Sequence, residues 1–94
     1  MTEKAEDLTV NYSEGDQQIV EELDKQILSK GSWTTILFRY REWDPKKNDF
    51  GDDKYTIRRY QKRGGEYRQQ SKFNISSRDQ ARQIIETLTR WQGD

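Results

Sequence analysis

The amino-acid sequence predicts an α+β domain in which an antiparallel sheet of at least three strands lies between two helices. Three observations carry that reading. Residues 32–43, 54–62 and 66–75 are rich in β-branched and aromatic side chains and alternate in polarity. The last two runs are joined by Arg63-Gly64-Gly65, whose paired glycines supply the positive φ angles of a tight hairpin. The third run leads into Ser77-Arg78-Asp79-Gln80, a serine followed three residues later by glutamine, which is a helix-opening capping box.

Length and composition bound what such a domain can be. Ninety-four residues suffice for one small domain. At 30% hydrophobic and 36% charged the chain is polar, yet 12% aromatic residues is too many for plain disorder. Cysteine and histidine are absent, which removes disulfides, thiol catalysis, imidazole bases and zinc sites of the usual kind. No apolar stretch approaches the ~18 residues of a membrane span, and the N-terminus lacks the basic-then-apolar order of a signal peptide. The expectation is a cytoplasmic domain without enzymatic activity, cofactor, metal or small-molecule substrate.

The elements follow in order. Residues 1–12 show no sustained period and few large apolar side chains, and read as a disordered acidic tail ahead of a single domain over 13–94. Ile19, Val20, Leu23, Ile27 and Leu28 recur at helical spacing behind a polar Ser13–Asp16 cap, and Gly31 stands where a helix would end, so a helix is expected at about 16–29. In residues 32–43, alternation puts Ile36, Phe38 and Tyr40 on one side and Leu37, Arg39, Arg41 and Trp43 on the other. Asp44–Asp53 holds the only proline and reads as a loop; its acids do not match the calcium-binding loop with a closing bidentate glutamate. After residues 54–62 and 66–75, a helix over about 77–91 carries the stripe Ala81, Ile84, Ile85, Leu88 and Trp91.

The zero net charge hides an asymmetry. Residues 1–31 carry eight acids and three bases, net −5; residues 32–94 carry nine acids and fourteen bases, net +5. Within 54–72, seven bases face the single acid Glu66. An antiparallel sheet can bury one face and leave the other wet. Parity within the strands then predicts a buried face of Ile36, Phe38, Tyr40, Tyr55, Ile57, Phe73 and Ile75, roofed by the last helix. The opposite face would gather Arg39, Arg41, Trp43, Arg58, Tyr60, Lys62, Arg68 and Lys72. Cations neutralise phosphates, and exposed rings stack on unpaired bases at about 1–3 kcal/mol each. Duplexes hide their base faces, so this combination points to single-stranded DNA or RNA. Arg39, Arg41, Arg58, Lys62, Arg68 and Lys72 are expected on phosphates, and Trp43 and Tyr60 on bases. The alternative is a protein-interaction module without nucleic-acid binding, in which the mixed-charge surface and the N-terminal helix dock a protein partner; for Trp43 and Tyr60 the plainer role is cross-strand packing that stiffens the sheet. With so thin a hydrophobic complement, association into a homodimer is also expected.

Lys54-Tyr55-Thr56-Ile57-Arg58-Arg59-Tyr60, then Gly64-Gly65-Glu66, then Lys72-Phe73-Asn74-Ile75-Ser76 before a capped helix, resembles the positive cofactor four family, single-stranded-DNA-binding transcriptional coactivators and their short bacterial relatives. Trp33 to Trp43 is similar to the first strand of the bacterial members, and the likeness covers roughly 33–91. The resemblance implies a curved four-stranded antiparallel sheet followed by one helix, a homodimer, a single strand laid across the sheet, and work alongside the transcription machinery, at the nucleoid in a bacterium. Arg58, Tyr60 and Lys72 match the family's strand motif and basic segment; the family glycine is Asn74 here and the family leucine is Ser77. The acidic N-terminal segment lies outside the pattern and could serve as an intramolecular decoy over the binding face.

Overall fold

The computed structural model describes residues 4–93. It is α+β: a curled antiparallel sheet followed by one C-terminal helix. The strands are β1 (Tyr12–Glu14), β2 (Gln17–Ser29), β3 (Trp33–Asp44), β4 (Asp49–Phe50), β5 (Lys54–Arg63) and β6 (Glu66–Ile75), and the helix is α1 (Arg78–Gln92). The order across the sheet is β1-β2-β3-β5-β6, with β4 folding back on the end of β3. Each long strand pairs with its neighbour in sequence, so the connections are simple hairpins.

The first correction concerns the N-terminal helix. Residues 17–29 form β2, and among the described residues the only helical turn in that half is a 3-10 turn over Ala5–Asp7. The apparent helical spacing comes from a register break between Glu22 and Asp24. One extra residue there lets Val20 and Ile27, seven apart, point to the same side of a strand, and the same offset imitates a helical repeat. Pairing with β3 satisfies the backbone of β2 along most of its length, and long-range pairing of this kind overrides local propensity. Gly15 at φ +58° turns β1 into β2, and Gly64 and Gly65 at +57° and +82° turn β5 into β6, conformations that a Cβ disfavours.

The second correction concerns which residues share a side. β3 keeps its alternation, with Thr34, Ile36, Phe38 and Tyr40 all buried. In β5, however, Tyr60, Arg58, Thr56 and Lys54 stand opposite Thr34, Ile36, Phe38 and Tyr40, while Tyr55 and Ile57 stand opposite Arg39 and Leu37. Tyr55 and Ile57 therefore lie on the side away from Phe38, one step from where parity alone put them. A second bulge, where Arg59 meets Ser71 but Tyr60 meets Gln69, leaves Gln70 unpaired and separates Tyr67 from Phe73 and Ile75. We call the side bearing Ile36, Phe38, Tyr40, Arg58, Tyr60, Tyr67 and Lys72 the inner face, and the side bearing Trp33, Leu37, Arg39, Tyr55, Ile57 and Phe73 the outer face.

The third correction concerns the roof. α1 buries none of its residues, and Ile85, Leu88 and Trp91 are exposed. The core is closed instead by the N-terminal segment expected to be a tail: Ala5, Leu8 and Val10 are buried in one cluster with Ile36, Phe38, Tyr40, Tyr60 and Tyr67. Lys25 Nζ donates to the carbonyl oxygens of Glu6 and Leu8, Lys30 pairs with the Glu6 carboxylate, and Thr9 Oγ1 donates to Glu22 at 2.6 Å. Residues 1–3 of the expected tail lie outside the described residues. The start of α1 is built as its sequence directs: Ser77 Oγ accepts from the Gln80 N–H at 3.0 Å, Gln80 Oε1 accepts from the Ser76 N–H at 2.7 Å, and Gly93 closes the helix at φ 80°.

Candidate nucleic-acid interface

The eight residues singled out from sequence divide evenly between the two faces. Arg39, Arg41, Trp43 and Arg68 lie on the outer face; Arg58, Tyr60, Lys62 and Lys72 lie on the inner one. The single groove expected from strand parity is therefore not formed, because the β3–β5 register and the β6 bulge each reverse one part of it.

On the outer face most of the charge is already matched. Arg41 Nε donates to Glu21 at 2.6 Å, Arg39 lies 3.5 Å from Asp53, and Arg68 lies 3.6 Å from Glu66. Trp43 is engaged as well: Phe50 meets it edge-on, with centroids 5.3 Å apart, and the Arg41 guanidinium lies 4.2 Å above the Phe50 ring. These are packing contacts that fasten β4 to β3. Arg59 stacks over Trp33 at 4.5 Å. Between these groups, Leu37, Ile57 and Phe73 line up across three strands as an apolar row.

The inner face is different. Arg58 and Lys72 stand directly opposite each other on neighbouring strands. Like charges so placed repel, and among the described residues neither has a carboxylate within ion-pair distance. Arg58 Nη1 donates to Gln69 at 3.0 Å, which fixes the side chain, while its Nε is enclosed without a partner among the described residues. Lys62 Nζ sits 5.4 Å above the Tyr67 ring and is likewise without an acidic partner among those residues. Lys54, at the far end of the face, is taken by Glu42, whose carboxylate raises the ammonium pKa.

Tyr60 is not an exposed platform. It is 5% exposed, and burial pushes its hydroxyl pKa above the ordinary value, only partly offset by the positive charge of Arg58. Tyr40 is buried further along the same face, opposite Lys54, with burial again the main cause of a raised pKa. Tyr67 donates its hydroxyl to the Gly31 carbonyl at 3.0 Å. Asn74, standing where the family pattern has glycine, needs no left-handed backbone: it lies within β6 and accepts the Thr56 hydroxyl at 2.7 Å.

Sequence reasoning missed Gln69, which positions Arg58, and Lys25 and Lys30, which hold the N-terminal segment on the inner face. Nothing local in the sequence marks these roles, since all three depend on pairings made by bulged strands. Among the described residues no helix is long and apolar enough to cross a membrane, and no three acidic side chains are grouped to hold a metal ion. No protein-family model, no characterised protein and no solved structure matches the chain.

Proposed function

We propose that this chain binds single-stranded nucleic acid without catalysing a reaction, and that the phosphate backbone crosses the inner face at Arg58, Lys62 and Lys72. One observation carries the reading: two cations directly opposite each other on neighbouring strands, one with an enclosed and unpaired Nε, form a repulsive pair that a bridging phosphate relieves. Arg39, Arg41 and Arg68 on the outer face are poorer candidates, because a phosphate there would have to displace Asp53, Glu21 or Glu66. The likeness of Arg58, Tyr60 and Lys72 to the positive cofactor four motif supports the same choice, and suggests action on strands exposed during transcription, replication or repair. Three phosphate contacts at about 0.7 each give a log K against log salt slope of about −2 for a single strand. Titration of the full chain with a twelve-nucleotide oligo-dT at two salt concentrations tests this; no binding at low salt defeats it. A matching oligo-U titration ranks DNA against RNA.

A second copy of the chain is the proposed protein partner. The exposed stripe of Ile85, Leu88 and Trp91 on α1 and the apolar row of Leu37, Ile57 and Phe73 are carried by the same chain. A two-fold pairing satisfies both at once and leaves the inner face outward. Sedimentation should give a dimer that the double variant Leu88→Glu, Trp91→Glu reduces to a monomer. A wild-type chain that stays monomeric at high micromolar concentration rules the pairing out.

A further inference from the structure

We propose that residues 5–10 are a displaceable cover over a tyrosine platform, and that an incoming single strand takes their place so that its bases stack on Tyr40, Tyr60 and Tyr67. The inference rests on the inner-face reading above and adds where the bases go. All three rings lie on the side that carries Arg58, Lys62 and Lys72, and all three are buried in one cluster with Ala5, Leu8 and Val10. Tyr60 and Tyr67 are diagonal neighbours on β5 and β6 with Lys62 between them, and Tyr40 lies further along the same face beyond Ile36 and Phe38. Rings mixed with cations that have no carboxylate partner among the described residues have the composition of a base-stacking surface. What hides it is a segment that is not built into the sheet. No residue from 5 to 11 joins a strand ladder; the main-chain bonds of its turn, Asp7 N–H to Lys4 and Leu8 N–H to Ala5, are local and make no contact with a strand. Its anchors are side chains, chiefly Lys25 on two carbonyl oxygens and Lys30 on the Glu6 carboxylate. Lysine held by oxygen acceptors is the contact a phosphate chain also offers, so the segment occupies the platform with acidic and carbonyl groups in the manner of its competitor. Displacement leaves the strands paired, because β1 begins only at Tyr12.

Hydrogen exchange on the full wild-type chain, with and without a twelve-nucleotide oligo-dT, tests the idea directly. Amides of residues 8–10 should exchange at least tenfold faster in the complex, while those of β3 and β5 are unchanged or slower. A second measurement uses the full-length variant Leu8→Ser, which loosens the cover. Provided its far-ultraviolet spectrum is native, it should bind the oligonucleotide about tenfold more tightly. Its salt slope should steepen by about 1.4, the share of two released lysines. If the oligonucleotide binds and perturbs Arg58 and Lys72 but residues 8–10 keep their protection, the cover is a fixed part of the core and the inference falls while the inner-face reading stands. If neither the wild type nor Leu8→Ser binds at low salt, both fall together.

Discussion

Lys72→Glu separates the charge argument from every structural role of the strand. Lys72 is exposed on β6 and faces Arg58 across the ladder, where directly opposed side chains have Cβ atoms about 4.5–5.5 Å apart. A cross-strand repulsion of roughly 0.2–1 kcal/mol becomes an attraction of similar size, so the variant should be more stable than wild type by about 1 kcal/mol. For a domain of this length that raises the melting temperature by about 4–8 °C. The same change should cripple binding. The new carboxylate engages Arg58, two of three phosphate contacts disappear, and the salt slope falls from about −2 to about −0.7. Thermal unfolding followed by circular dichroism gives the first quantity, and fluorescence titration with oligo-dT at several salt concentrations gives the second. Loss of stability would mean that Lys72 already has an acceptor and that the pair is not strained. A gain in stability with unaltered binding would mean that the strand lies elsewhere, and the inner-face reading would be refuted.

Trp43→Ala, on the outer face against Phe50, should leave oligo-dT affinity within twofold of wild type; a tenfold loss moves the site to that face. Tyr60→Ala empties a buried position and should cost about 3–5 kcal/mol in urea unfolding, enough to unfold much of the population, whereas an exposed stacking residue would cost little. Glu6 is held below its ordinary carboxylate pKa of 4.5, first by its hydrogen bond to Lys30. A depressed carboxylate stabilises the folded arrangement above its unfolded pKa, and that contribution is lost as the pH falls through the lower folded value. Residues 5–10 should therefore lose exchange protection below pH 4.5 and keep it at neutral pH, and Glu6→Gln should remove this dependence. Equal acid sensitivity in Glu6→Gln assigns the effect to another carboxylate.

The corrections to the sequence-based reading share a cause. β3, β5 and β6, the Gly64-Gly65 hairpin and the capped helix are encoded by neighbours in sequence, by alternation, by turn residues and by a cap three residues long, and these were legible; β4 was not, because Asp49–Phe50 falls in the stretch that reads as a loop. β2 was not, because the bulge between Glu22 and Asp24 gives a strand the spacing of a helix. The site was half legible. Arg58, Tyr60, Lys62 and Lys72 do share a face, but Arg68 is parted from Lys72 by the unpaired Gln70, and Arg39, Arg41 and Trp43 are sent to the other side by the β3–β5 register.

An aromatic-rich antiparallel sheet, a capped terminal helix and a gathering of cations toward the C-terminal two thirds are all written in the order of the residues. Local sterics and local hydrogen bonds suffice for that. Only the tertiary structure decided which cations sit together, which carboxylates neutralise the rest, and that residues 5–10 rather than α1 close the core. Strand register has a period of two, so a single inserted residue reverses a face, and no pattern within one strand records where its neighbour will place that residue.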